Sequence, residues 1–131
     1  MFEHNRTLEY HLTPDISVTG SGEHLKQAIE ILLDNAAKYS FPDTTVSIQL
    51  QKQKKLCELT ISNLGNTIPS EDLTNIFKRF YRTDKSRTNS GSFGLGLSIA
   101  QSIVLEHKGK IWAESCQNKT TFHITLPLSE N

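Results

Sequence analysis

The segment LLDNAAKYS, residues 32–40, closes an apolar helical pattern but places an amide and an ammonium group beside it. Asn35 and Lys38 lie three residues apart and share one edge of the predicted helix with Tyr39. The neutral oxygen of Asn35 suits a hydrated Mg²⁺ ion that keeps several of its waters, and Lys38 can contact a phosphate as a point charge. In a purely structural interpretation, Asn35 caps a neighbouring loop and Lys38 extends to solvent.

A second cluster follows a predicted strand in ISNLGNTIP, residues 61–69. Asn63 ends a run of core-facing side chains, and Gly65 allows the backbone to come close to a flat ligand. A side-chain amide can accept a hydrogen bond from an exocyclic amine such as that of adenine and donate one to a ring nitrogen. The alternative is an ordinary Asn/Gly turn at the end of a strand.

Two further segments have features of a polyphosphate site. Residues 77–87 contain five basic residues and one acid, and arginines on a loop can bind phosphate bidentately. GSFGLGLSIA, residues 91–100, places three glycines before an apolar helix, whose N-terminus favours an anion. The glycines match neither a dinucleotide fingerprint nor a P-loop, because no strand leads into them and no Lys-Ser/Thr follows. A solvated loop and an ordinary helix start are the alternatives.

The elements around these segments predict an α+β fold with helices on one face of a largely antiparallel sheet. We predict strands over residues 7–12, 16–18, 44–51, 56–63, 110–115 and 120–128. We predict a helix after Gly22, a short helix over 70–77 capped by Ser70, a mobile loop over 81–93, and a helix from Gly94 that Gly109 caps. The side chains expected to face inward on the last helix are Ile99, Ala100, Ile103 and Val104.

The composition is that of an ordinary globular domain. The 131 residues contain 14 Lys and Arg against 14 Asp and Glu, and this neutral balance argues against general nucleic-acid binding, which neutralises many phosphates. No apolar run approaches the roughly 20 residues that cross a bilayer, and no secretory signal is visible. Cys57 and Cys116 are too few for a disulfide scaffold or a zinc site, so we expect two buried thiols.

The order and spacing of the four segments are more specific than any one of them. LLDNAAKYS, NLGNTIP, IFKRFYR and GLGLSIA strongly resemble the N, G1, F and G2 boxes of the sensor histidine kinases, and the resemblance covers about residues 7–128. It implies the catalytic ATP-binding domain of such a kinase, with the Bergerat (GHKL) fold shared by gyrase-type ATPases and heat-shock chaperones. That fold is a two-layer sandwich of about three helices on one face of a mixed, mostly antiparallel sheet.

The resemblance implies roles at the phosphate end of an ATP site. Asn35 would bind Mg²⁺, Lys38 would contact the phosphates, and Tyr39 would pack along the nucleotide. The other residues implied here are Phe77 and Phe80 as anchors of a lid, Arg79 and Arg82 as γ-phosphate contacts, and Gly94, Leu95 and Gly96 as backbone donors to the phosphates.

It also implies an adenine pocket. Asn63 would bind the adenine amine, Gly65 would give the base room, and Ile68 would line the pocket. Thr120 and Thr121 stand where the family has a threonine near the adenine.

The sequence departs from the family pattern at several of these positions. Asn63 replaces an aspartate, Thr67 replaces the second G1 glycine, and Ile31 replaces the first N-box amide. A degenerate, non-catalytic nucleotide-binding or interaction module is therefore the alternative function. A self-contained ATPase of the gyrase or chaperone type is disfavoured, because those enzymes place a glutamate base where this chain has Ile31.

None of the five histidines has the sequence context of a phosphoacceptor, and we expect all five to be structural or surface residues. The expected partner is thus a helical dimerisation and phosphoacceptor domain of the same kinase that lies outside residues 1–131, with a response regulator as an indirect partner. We expect residues 1–131 to form one monomeric domain that binds ATP or ADP but does not autophosphorylate alone. We expect it to be the cytoplasmic part of a membrane-anchored bacterial sensor.

Overall fold

The computed structural model of the chain describes residues 7–78 and 96–129, and within them five strands and three helices form two layers. The elements are β1 Thr7–Leu12, α1 Gly22–Tyr39, β2 Thr45–Gln53, β3 Leu56–Leu64, α2 Ser70–Leu73, α3 Gly96–Glu106, β4 Lys110–Cys116 and β5 Lys119–Pro127. The sheet order is β1-β2-β3-β5-β4, with β1 parallel to β2 and every other pair antiparallel. The predicted α+β class with a mixed, mostly antiparallel sheet is confirmed.

Local chemistry accounts for the start of α1 and for the face that it buries. The hydroxyl of Ser21 accepts a hydrogen bond from the His24 N–H at 3.2 Å, which satisfies one of the free donors of the first turn. The buried residues recur at helical spacing, as predicted, and are Ala28, Leu32, Leu33 and Ala36. In the described ranges, no helix has the length and apolar character needed to cross a membrane.

The core lies between the helices and one face of the sheet. Leu32 of α1 packs with Val46 and Ile61 of the central strands and with Phe122 of β5. Beside this cluster, Ala28 and Ala100 bring α1 and α3 together, since two small side chains allow the helices to approach closely. Both cores support the elements that carry the predicted site.

Five local predictions were wrong. Residues 16–18 do not form a strand, and α2 ends at Leu73 after an N-cap at Pro69 rather than Ser70. Ile99 is 40% exposed although it was predicted to face inward, while its neighbour Ala100 is buried. Cys116 is exposed, and only Cys57 is a buried thiol. The predicted loop over residues 81–93 lies outside the described residues.

The end of α3 also differs from the prediction. Lys108, not Gly109, adopts the left-handed conformation, with φ 64°. The Gly109 N–H donates to the Val104 carbonyl at 2.9 Å, and a Cβ atom at this glycine would lie 2.3 Å from the Thr125 carbonyl oxygen. A glycine is therefore needed because the backbone of β5 passes close by, and not because of an unusual φ angle.

Candidate nucleotide-binding site

The edge of α1 that bears Asn35 lies beside the start of α3. A Cβ atom at Gly96, the first residue of α3, would lie 3.4 Å from the Cγ2 atom of Ile31, which precedes Asn35 by one helical turn. Asn35 is half-buried, whereas Lys38 and Tyr39 are exposed on the last turn of α1. The start of α3 therefore lies beside the edge of α1 that leads to Lys38, whose ammonium is 5.4 Å from the centroid of the Tyr39 ring. A helix N-terminus and a nearby ammonium both favour an anionic group.

A second set of predicted residues meets where β3 and β5 pair. Asn63 lies opposite Thr120 in the register, and the two residues are only 4% and 3% exposed. The Ser115 hydroxyl on β4 lies 2.8 Å from the Thr120 hydroxyl and accepts a hydrogen bond from the Ile68 N–H at 2.8 Å. This cluster holds the loop after β3 against the helix-facing side of the sheet, and it brings three of the predicted adenine residues together.

The side-chain amide of Asn63 keeps its hydrogen-bonding capacity free within the part of the chain that the structure describes. Within residues 7–78 and 96–129 its side chain makes no hydrogen bond, and no fully buried side-chain nitrogen or oxygen there lacks a partner. The amide atoms therefore keep contact with solvent although the residue is almost entirely enclosed. One donor and one acceptor group thus remain available for the edge of a planar base.

Gly65 joins these two parts of the site. Its N–H donates to the Asn118 carbonyl at 3.0 Å, and residue 65 pairs with Ser40 at the end of α1. A Cβ atom at position 65 would lie 2.3 Å from the Tyr39 carbonyl oxygen and 3.1 Å from the Asn63 amide nitrogen. The last turn of α1 therefore fills the space into which a side chain at position 65 would point. In this direction, the absence of a side chain leaves no room for a base.

The Thr67 side chain is hydrogen-bonded to the turn between β4 and β5. Its hydroxyl accepts a hydrogen bond from the Asn118 N–H at 2.7 Å and donates to the Asn118 side-chain oxygen at 3.3 Å. Gln117 and Asn118 have positive φ angles of 51° and 62°, as a two-residue hairpin turn requires. The substitution at position 67 therefore has a structural partner in this chain.

Ser115 and Asn118 were missed by the sequence analysis. A signal for Ser115 was present, because positions 111, 113 and 115 of β4 alternate on one side and the first two are the apolar residues Ile111 and Ala113. A hydroxyl that continues an inward-facing apolar series needs a partner in the interior.

Several predicted residues lie elsewhere. Thr121 lies on the opposite face of β5, where its hydroxyl is 3.0 Å from that of Ser62, so it does not join Thr120 in the cluster. Phe77 is buried in the core, where its ring is nearly perpendicular to that of Phe122 at a centroid distance of 6.0 Å. The remaining predicted residues, Arg79, Phe80, Arg82, Gly94 and Leu95, lie outside the described residues.

Two histidines have clear structural contacts. The Nε2 atom of His107 accepts a hydrogen bond from the Ser21 N–H at 3.0 Å, so the end of α3 is tied to the start of α1. His123 lies between the carboxylates of Glu58 and Glu114, at 3.0 and 2.8 Å from its two ring nitrogens. These contacts agree with the structural role expected for both.

Comparison with known proteins places the chain in a family. The profile of the histidine kinase-, DNA gyrase B- and HSP90-like ATPases matches residues 20–130. The chain is 36% identical over 125 residues to the sensor protein VanS of Enterococcus faecium, covering 95% of this chain and 32% of VanS. It is 43% identical over 125 residues to the signal transduction histidine-protein kinase ArlS of Staphylococcus epidermidis, covering 93% of this chain and 27% of ArlS.

A solved structure gives the same result. The mycobacterial sensor histidine kinase MprB superposes with a TM-score of 0.87 at 33% identity, covering 97% of this chain and 86% of that structure. The chain spans about a third of the length of the curated relatives it matches. It belongs to the histidine kinase-, DNA gyrase B- and HSP90-like ATPase family, as a catalytic ATP-binding domain of the sensor histidine kinase type.

Proposed function

We propose that this domain binds Mg-ATP and donates the γ-phosphoryl group to a histidine on a separate helical domain of the same kinase. The observation that carries the proposal is the joining of two chemically distinct half-sites. The edge of α1 with Asn35 meets the start of α3, and Gly65 ties the end of the same helix to the Asn63–Thr120 pair. One half suits an anion and the other suits a planar base, as a nucleotide requires.

The residues present fit a hydrated magnesium ion. Asn35 offers a half-buried neutral oxygen, and the described ranges hold no group of three or more His, Cys, Asp or Glu residues that could cage a metal. Mg²⁺ commonly keeps several waters and takes only one or two protein ligands besides substrate phosphates, so Asn35 would hold it in that way. When bound, the ion would offset the charge on the phosphate oxygens.

The chain itself would supply positioning and electrostatic stabilisation. Lys38 would contact the phosphates, and Arg79 and Arg82 would close on the γ-phosphate as parts of a lid that Phe77 anchors. The nucleophilic imidazole would come from the helical domain, and a response regulator would receive the phosphoryl group afterwards. We propose that residues 1–131 are a single domain and form the cytoplasmic part of a membrane-anchored sensor.

The first test is calorimetric titration of the chain with ADP and a non-hydrolysable ATP analogue, with and without Mg²⁺. Asn35→Ala is expected to abolish the Mg²⁺-dependent part of the binding, because it removes the proposed protein ligand of the metal. Gln27→Ala provides a matched control, since it removes an exposed amide from the same helix and should bind as the wild type does. Equal Mg²⁺ dependence in both variants would contradict the role assigned to Asn35.

The second test separates the kinase from a non-catalytic module. The upstream helical domain of the same protein would be supplied with Mg-ATP, and phosphohistidine formation would be measured. Phosphohistidine that depends on this chain supports the proposal. Nucleotide binding without transfer would favour the degenerate module, although the sensor kinase relatives favour the enzyme.

A further inference from the structure

The outer edge of the sheet is open at β1. Among the described residues, β1 pairs only with β2, and all six of its residues are exposed. An edge strand presents a row of unpaired N–H and C=O groups, which can pair with a strand of another chain. Proteins commonly guard such edges with charges, prolines or bulges.

The side chains of β1 divide sharply between its two faces. Leu8, Tyr10 and Leu12 lie beside the inward-facing residues of β2 and thus belong to the helix-facing side, yet they are 36%, 62% and 55% exposed. Glu9 and His11 lie on the other face, where the Ser47 hydroxyl donates to Glu9 at 3.4 Å and the His11 Nε2 atom lies 3.8 Å from the carboxylate of Glu9 on the same strand. The edge therefore carries an apolar stripe on one face and an acid with an imidazole on the other.

These residues are complementary to themselves in one antiparallel register. With Tyr10 opposite Tyr10 of a second copy, Leu8 lies opposite Leu12 and Glu9 lies opposite His11, and the two-fold axis repeats each pair. Opposite residues on antiparallel strands lie on the same face, so apolar groups meet apolar groups and each carboxylate meets an imidazole.

Neighbouring registers lack this match. A shift by one residue would place Tyr10 of one copy opposite His11 of the other. The apolar face of one strand would then continue into the polar face of its partner. A shift by two residues in one direction would place Glu9 opposite Glu9, and like charges directly opposite each other are destabilising. A shift by two residues in the other direction would place His11 opposite His11, so that no carboxylate meets an imidazole directly. The side-chain pattern thus specifies one register for self-pairing.

We propose that β1 forms a two-fold symmetric, edge-to-edge homodimer interface that extends the sheet from five to ten strands. The six apolar side chains from two copies would lie together on the helix-facing side of the extended sheet. An interface built on one six-residue strand is small, so the association is weak and depends on protein concentration. Such a dimer would differ from the monomer expected from the sequence, and it does not depend on the proposed kinase activity.

Sedimentation velocity of this chain, from about 10 µM to about 1 mM, tests the proposal at concentrations where weak complexes form. We expect the sedimentation coefficient to rise with concentration, and amide exchange at β1 to slow in parallel. His11→Glu should weaken dimerisation by about tenfold, because it places two carboxylate pairs opposite each other. Ser102→Glu, on the exposed side of α3, adds the same charge away from the edge and should dimerise as the wild type does.

The double variant Glu9→His with His11→Glu provides a rescue. It restores an acid opposite an imidazole in the proposed register, so its dimerisation should return towards that of the wild type. A single species of monomer mass at every concentration would overturn the proposal, as would a dimer that responds equally to His11→Glu and Ser102→Glu. Failure of the double variant to recover would exclude the register.

Discussion

Gly65→Ala tests how the two halves of the proposed nucleotide site are held together. The added Cβ atom would lie 2.3 Å from the Tyr39 carbonyl oxygen, whereas ordinary contact begins at 3.4 Å. Relief of this overlap requires a displacement of about 1 Å between the end of α1 and the end of β3. The Tyr39 oxygen is a backbone atom, so rotation of a side chain cannot relieve the overlap.

The expected cost follows from the contacts at this junction. Overpacking of a tight site costs about 1–3 kcal/mol. The displacement also strains the Phe41 N–H bond to the Leu64 carbonyl at 2.8 Å and the Gly65 N–H bond to Asn118 at 3.0 Å. With a net contribution of about 1 kcal/mol for each of these two hydrogen bonds, we expect the free energy of unfolding to fall by about 3–5 kcal/mol.

Urea denaturation of Gly65→Ala measures this loss, and Gly22→Ala is the matched control. Gly22 is the first residue of α1, and a Cβ atom there would meet no atom within 4 Å. Alanine at that position should leave the stability unchanged or raise it by about 0.4–1 kcal/mol, because it restricts the unfolded chain. The affinity for Mg-ADP should fall only in Gly65→Ala, since the added atom also lies 3.1 Å from the Asn63 amide.

The result that refutes this reasoning is a small difference between the two alanine variants. If their free energies of unfolding agree to within about 1 kcal/mol, the end of α1 is free to move and does not hold Gly65 in place. Lower nucleotide affinity at unchanged stability would instead show that position 65 acts on the ligand directly.

Three other predictions concern Ser115 and the two cysteines. Ser115→Ala should lower the free energy of unfolding, measured by urea denaturation, by about 1–3 kcal/mol, since the Ile68 N–H and the Thr120 hydroxyl each lose a hydrogen-bond partner. Stability equal to that of the wild type would contradict the structural role assigned to the Ser115 hydroxyl. Burial raises the pKa of the Cys57 thiol above its ordinary value of 9.0, so the associated stability is present below pH 9.0 and is lost as pH rises through the folded-state pKa. Cys57→Ala should therefore reduce the alkaline loss of stability, and a thiol reagent should label Cys116 first in the native protein.

The helices and most strands could be predicted because their signal is local. Apolar residues recur at the helical repeat in α1 and at every second position in β2 and β3. The pattern within each element therefore predicts which of its faces is buried. Residues 16–18 have the same β-branched character but form no strand, because a strand also needs a partner. The carbonyl of Ser17 instead accepts a hydrogen bond from the Ser129 N–H at 2.8 Å.

The sequence by itself determined most of the elements, the order of the four segments and the family that they indicate. Only the tertiary structure decided which of two adjacent threonines faces the site, because Thr120 and Thr121 have the same chemistry and the register of β5 on β3 turns one inward and the other outward. It also decided that Ser115 and Asn118 support the loop after β3. Such contacts join residues about 50 positions apart, and only chain packing, which no local pattern encodes, brings them within hydrogen-bonding distance.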